Sequence, residues 1–117
     1  MVTVSDCLID HNKARGGGGG NAEGGGIANL LGATTTVSSS TLTMNLAIGG
    51  GGAGLGGGAS NDATSTLALH DSAVIQNQAD GSPGIGGGIY TQGMFLVDAL
   101  NVIKDNHAST SDDNIGP

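Results

Sequence analysis

Four short stretches decide the reading of this chain: Ile9-Asp10-His11-Asn12, Leu42-Thr43-Met44-Asn45, Val74-Ile75-Gln76-Asn77 and Ile103-Lys104-Asp105-Asn106. Their asparagines stand 33, 32 and 29 residues apart. Two places after each comes an alanine: Ala14, Ala47, Ala79 and Ala108. Three places before each comes an aliphatic residue. A glycine triple follows the first three stretches (Gly24 to Gly26, Gly56 to Gly58, Gly86 to Gly88), and Ile27, Ala59 and Ile89 come next. Residue types agree down these columns while the lengths between them vary, which is the signature of a structural repeat.

Within each unit the hydrophobic period is two. Val2-Thr3-Val4-Ser5 and Leu67-Ala68-Leu69-His70 alternate, and β-branched residues at that period indicate strand. Glycine clusters and Ser/Thr runs break every candidate helix. Short strands at a fixed period predict a solenoid, here an all-β parallel β-helix of about four turns of about 30 residues. Units fall near 2–32, 33–63, 64–93 and 94–108, followed by a polar tail at 109–117. Each turn is expected to carry three short strands, and turns to stack at roughly 4.8 Å. Strands are predicted near 2–5, 35–43, 67–75 and 95–103, with short ones after the glycine triples.

Stacking turns the repeat into columns. Ile9, Leu42, Val74 and Ile103 form one core column. Val4, Val37 and Leu69 form a second, interrupted by Asp98. Val2, Thr35, Leu67 and Leu96 form a third, and a register shift or bulge is expected near Phe95–Val97. Cys7, Ser40, Ser72 and Asn101 form a column of small or polar residues at a tighter bend, with Cys7 as a buried thiol. Asn12, Asn45, Asn77 and Asn106 form a turn column whose amides can bond one another along the axis. The triples ending at Gly26, Gly58 and Gly88 mark a corner with positive φ and no room for Cβ.

The whole chain has 117 residues, 24 of them Gly, and a formal net charge of −7. Three Lys and Arg against ten Asp and Glu argue against nucleic acid, whose phosphates need a basic footprint. No apolar run approaches the roughly 20 residues of a membrane span, so no membrane insertion is expected. Met1 to Cys7 lacks a basic region followed by an apolar stretch, so no signal peptide is read in this chain. One Cys excludes an internal disulfide framework.

The aliphatic-x-x-Asn stretches and the Gly-Gly-Gly-aliphatic corners together resemble the right-handed parallel β-helix repeats of bacterial surface proteins. They are similar to the FxxN and GGA-hydrophobic repeats of polymorphic outer-membrane proteins, a group of autotransporter passengers, and more broadly to pectate-lyase-like repeats. This chain carries an aliphatic where that group prefers Phe, and Gly where Ala is usual. The resemblance implies a right-handed coil and an extracellular or cell-surface location. It leaves room for a carbohydrate or host-surface ligand.

No catalytic constellation converges in the same columns. A polysaccharide lyase needs clustered carboxylates for Ca²⁺ and a base. Asp6 and Asp71 share a column but lie two turns apart, roughly 10 Å, too far for one ion with ligands near 2.4 Å. Asp10, Asp98 and Asp105 are scattered, Asp112-Asp113 lies in the tail, and Lys13, Arg15 and Lys104 are the only strong cations. His11, His70 and His107 fall in different places, so no metal site is expected. Gly52 to Gly57 fits G-x-G-x-x-G only by composition, because no helix follows it. The glycine-rich stretches at 15–24 and 49–56 read as flexible loops. Threonines do not repeat on every turn, which argues against an ice-binding face. No catalytic residue and no cofactor are predicted.

The expected function is therefore a structural or interaction segment of a cell-surface or secreted protein, adhesin-like or passenger-like, without catalysis of its own. The alternative is a fragment of a carbohydrate-active lyase or hydrolase. Open sheet edges at both ends of a short stack also predict end-to-end self-association.

Overall fold

Each of the first three repeats folds into a rung of five short strands, where the patterning suggests three, and the last repeat into a rung of four. The computed structural model describes residues Met1–Pro117. The first rung holds β1 (Val2–Ser5), β2 (Leu8–Asp10), β3 (Lys13–Arg15), β4 (Ala22–Glu23) and β5 (Ile27–Asn29). The second holds β6 (Thr34–Ser38), β7 (Thr41–Thr43), β8 (Leu46–Ile48), β9 (Gly54–Leu55) and β10 (Ala59–Asn61). The third holds β11 (Thr66–His70), β12 (Ala73–Ile75), β13 (Gln78–Asp80), β14 (Gly84–Ile85) and β15 (Ile89–Thr91). The last, shorter rung holds β16 (Met94–Val97), β17 (Val102–Lys104), β18 (His107–Ala108) and β19 (Ile115–Gly116). Equivalent strands pair in parallel, rung on rung, into five sheets.

The fold is a parallel β-solenoid. Paired residues are 33 apart between the first two rungs (Val2 with Thr35), 32 between the next two (Thr34 with Thr66) and 28 at the last step (Thr66 with Met94). The chain completes about three turns of about 32 residues, against the expected four of about 30, and closes with the shortened rung.

Single left-handed residues make the bends between strands. Asp6, Ser39 and Asp71 (φ 53°, 48° and 46°) separate the first and second sheets. His11, Met44, Gln76 and Asp105 (φ 55°, 54°, 57° and 56°) separate the second and third. Such φ values are uncommon outside Gly, and here each is held by hydrogen-bonded rungs. The left-handed residue precedes each column Asn, so Asn45 and Asn77 are free to turn their side chains inward, and both are buried.

The core column reads as expected. Ile9, Leu42, Val74 and Ile103 are in register. Leu42 and Val74 are buried, while Ile9 and Ile103 on the end rungs are half-buried because each has one neighbouring rung. They pack with Val37, Leu67, Leu69, Ala59 and Ile89.

Four expectations about the last rung and the first bend are corrected. Val97, not Asp98, continues the Val4-Val37-Leu69 column, and Phe95, not Leu96, stands beside Leu67. Leu96 continues the outward Thr3-Thr36-Ala68 column and is half exposed. The strand pairing has no bulge. The extra residue sits in the bend Asp98–Asn101, since Leu69 to Ala73 spans four steps and Val97 to Val102 spans five. Cys7, on the first of the four rungs, is exposed, not buried; its Sγ lies 3.0 Å from the Ser5 carbonyl.

The glycine-rich stretches are stacked rather than loose. Gly50 N donates to Gly20 O (2.9 Å), Ser82 N to Gly52 O (3.0 Å) and Ala53 N to Asn21 Oδ1 (2.9 Å). They carry β4, β9 and β14, whose inward residues are Ala22, Gly54 and Gly84. These face the alanine column of the third sheet: a Cβ on Gly54 would stand 2.8 Å from Ala47 O. Two sheets normally pack about 10 Å apart; here Ala faces Ala on the first rung and Ala faces Gly on the next two, and such small residues permit a closer approach.

Position along the stack sets the expected cost of a core truncation. Leu42→Ala is expected to lose about 2–5 kcal/mol, the range for a buried Leu. Ile9→Ala, at a half-buried end position, is expected to lose clearly less. Equilibrium urea unfolding of the two variants checks this, and equal losses would contradict it.

Candidate functional site: polar ladders and the two ends of the stack

The four asparagines form a continuous amide ladder. Nδ2 donates to the next Oδ1 at 3.0 Å from Asn12 to Asn45, from Asn45 to Asn77 and from Asn77 to Asn106. The backbone N–H of each donor Asn reaches the same Oδ1, at 3.0, 2.9 and 2.9 Å. The second Nδ2 hydrogen of Asn45, Asn77 and Asn106 goes to the core-residue carbonyl of the preceding rung: Ile9, Leu42 and Val74, each at 2.9 Å. An interior Asn thus satisfies its whole side-chain amide inside the protein, as a buried polar group must.

The glycine triples face this ladder. Gly24, Gly56 and Gly86 hold the positive φ of the corner (64°, 67° and 65°). Gly26, Gly58 and Gly88 are required by contact instead: a Cβ on Gly58 would lie 2.6 Å from Gly88 O and 3.0 Å from Asn77 Nδ2. The corner and the ladder are one packing unit.

Two further ladders exist, one of them not read from the sequence. At the bend after the first sheet, Cys7 N donates to Ser40 Oγ (3.0 Å), Ser40 N to Ser72 Oγ (3.2 Å) and Ser72 N to Asn101 Oδ1 (2.9 Å). The unread one starts at Asn29, whose Nδ2 donates to Asn61 Oδ1 (2.8 Å), while Asn61 Nδ2 donates to Thr91 Oγ1 (3.0 Å). These residues stand two places after Ile27, Ala59 and Ile89, a spacing that would have found them.

The two ends of the stack differ. Asn12 is exposed, and its Oδ1 has no donor. Asn106 and Ala108, on the last rung, are each only 6 % exposed. The 109–117 segment, expected to be a polar tail, covers them. Asn114 Oδ1 accepts from Asn106 Nδ2 (3.0 Å) and N (3.4 Å), and Asp113 Oδ1 accepts from Ala108 N (2.9 Å). Ser111 bridges Ile85, and Ile115 pairs with Ile89, so Asp112-Asp113-Asn114 stand level with Gly86-Gly87-Gly88. Even the left-handed φ recurs, 61° at Asp112 against 65° at Gly86.

The ionisable side chains are distributed over the outside. His11 meets Asp10 (3.0 Å), His70 meets Asp98 (3.0 Å) and His107 meets Asp113 (3.5 Å), each an exposed pair. Asp98 is held below its usual range, first by the hydrogen bond from His70. No three His, Cys, Asp or Glu side chains are placed to hold a metal ion. A shallow groove of about 320 Å³ runs along the first bend, between Ser39, Asp71 and Leu100. Asp62, unnoticed in the sequence, pins the connection between rungs. Its Oδ2 accepts from Leu31 N (2.7 Å) and its Oδ1 from Thr64 N (3.0 Å) and Oγ1 (2.9 Å). The Leu31 amide above all lowers its pKa from 3.8 to about 2.

No protein-family model matches this chain, and no curated protein or solved structure matches it either.

Two outcomes are expected. Asn77→Ala takes away the acceptor of the Asn45 N–H and amide, and one donor each from the Leu42 carbonyl and the Asn106 oxygen, at about 1–3 kcal/mol per buried group left unpaired. It should therefore cost several times more than Asn12→Ala in urea unfolding, and similar costs would contradict the ladder. For Asp62 the folded pKa is depressed, so its contribution is full above about pH 4 and is lost as pH falls toward about 2. Asp62→Asn should flatten the fall in unfolding midpoint across that window, and an unchanged slope would contradict the assignment.

Proposed function

We propose that this chain is a structural and interaction segment of a cell-surface or secreted β-helix protein, adhesin-like or passenger-like, that does no catalysis of its own. The observation that carries this reading is the use made of the repeated polar residues. Asn29, Asn45, Asn61, Asn77 and Asn106 are buried, and their amides are spent on rung-to-rung bonds. The repeat therefore maintains a shape.

The outward columns of the second and third sheets do the opposite: they change at every rung. Asp10, Thr43, Ile75 and Lys104 follow one another on the second sheet, and Lys13, Leu46, Gln78 and His107 on the third. A constant interior with a variable surface suits a scaffold that presents contacts to a carbohydrate or a host surface. The surface location itself rests on the resemblance of the repeats to those of bacterial surface proteins.

Acidic polysaccharides incubated with the chain should yield neither unsaturated uronates nor new reducing ends, while labelled chain should adhere to extracellular glycans or to cells. Measurable depolymerisation would overturn the reading in favour of a carbohydrate-active fragment.

A further inference from the structure

The last rung ends in three residues that stand where the other rungs have glycine. In the interior, a Cβ on Gly58 would run into Gly88 O of the next rung, and one on Gly88 into Asn114 O, each at 2.6 Å. Side chains at these positions therefore point along the stack, into the space of the following rung. Asp113 and Asn114 put side chains there. They fold back onto Ala108 N and Asn106, taking the bonds that a further rung would take. We propose that Asp112-Asp113-Asn114 is an end-stop, and that the partner it excludes is the first rung of a second copy of this chain.

The first rung has the chemistry to sit there. The amide ladder is directional: every rung donates from Asn N and Nδ2 to the Oδ1 of the next. Asn114 Oδ1 imitates that next acceptor, and Asn12 Oδ1 of another copy is the same group with no donor of its own. The outward columns also match across the two ends. Asp10 and Lys104 share one column of the second sheet, so head-to-tail stacking sets opposite charges side by side. His11 and Asp105 occupy the same left-handed bend and would meet in the same way. Apolar residues at the ends fall in common columns too: exposed Leu8 with exposed Val102, and exposed Val2 with half-buried Phe95. Leu8 is 63 % and Val2 53 % exposed in the single chain.

The test restores the glycine triple in the full chain. Asp112→Gly, Asp113→Gly and Asn114→Gly together keep the β19 pairing and remove the projecting side chains. Asn101→Cys, in the column of Cys7, reports the geometry. Within one chain those two positions are three rungs apart, roughly 14 Å, beyond the reach of a disulfide. Between copies stacked head to tail they are neighbours. Under mild oxidation the glycine variant should form a series of linked trimers and higher multimers. Their yield should exceed that of the capped Asn101→Cys chain by about tenfold or more, the scale of one net hydrogen bond. Asn114→Gly alone, which keeps the Asp113 bond, should give an intermediate yield. Adding Asp10→Lys should suppress the series, and adding Lys104→Asp with it should restore it. Circular dichroism of each variant confirms that it is folded. Linkage stopping at dimers, equal yields with and without the cap, or a folded glycine variant that stays monomeric would overturn the proposal.

Discussion

The in-register amide ladder is the constraint on which the rest of this solenoid depends. A parallel stack closes only if the polar groups at its inner bends find partners, because water cannot reach them. Asn solves this with one side chain: two donors and an acceptor whose geometry repeats at the rung spacing. Each Asn bonds the rung after it through Oδ1 of the next Asn and the rung before it through a core carbonyl. An interior Asn therefore ties three rungs together, and a slip of one residue in any rung would break the ladder above and below. The core column Ile9-Leu42-Val74-Ile103 lies three residues upstream and inherits its register from the same bonds.

The glycine content follows from this arrangement. The corner that faces the ladder has no room for a methyl group at Gly26, Gly58 or Gly88. The narrow lobe between the third and fourth sheets is filled by Ala on one side and by Ala22, Gly54 and Gly84 on the other. Such a lobe buries little apolar surface, so hydrophobic burial is concentrated in the cluster around Val37, Leu42, Leu67, Leu69, Val74 and Ile89. Backbone pairing and polar ladders hold the remainder. A composition that suggests a flexible linker instead encodes close backbone packing, because the glycines recur at positions where successive rungs touch.

The columns that combine a hydrophobic period with a fixed offset were legible in the sequence: the core aliphatics, the Asn column, the alanines and the glycine triples all return in the structure. What escaped had physical reasons. Strands such as Lys13–Arg15 and Gln78–Asp80 place only an Ala inward, so no alternation betrays them. Gly54–Leu55 and Gly84–Ile85 are strands through pairing alone. Leu96 takes the place of Phe95 in the expected column because the bend Asp98–Asn101 is one residue longer than its neighbours, so a constant offset from the Asn column is one residue out there. Cys7 was assigned the burial of its column, although it stands on the first of the four rungs. Asn29 and Asn61 were overlooked because the glycine triple drew the reading of that corner. Asp62 was overlooked because its role is local hydrogen bonding to the Leu31 amide, which no spacing rule reveals.

A directional ladder cannot have equivalent ends. Within the Asn ladder each rung donates from Asn N and Nδ2 to the Oδ1 of its successor, so that ladder ends in spare donors at the last rung and a spare acceptor at the first. Spare donors at the last rung are the more serious exposure, because Asn106 and Ala108 lie over the apolar core, where an unpaired N–H is costly. The chain meets them with the acceptors of Asn114 and Asp113. Carboxylate and amide oxygens are suited to this, and glycine positions are the places from which a short side chain can turn back over the rung. The first rung needs no such device to the same degree. Its spare group in the ladder is the Asn12 oxygen, which the exposed side chain can leave to water. Capping one end with side chains and the other with solvent is thus a consequence of the sense in which the amides point. The same sense fixes which end of a neighbouring stack each terminus could complement.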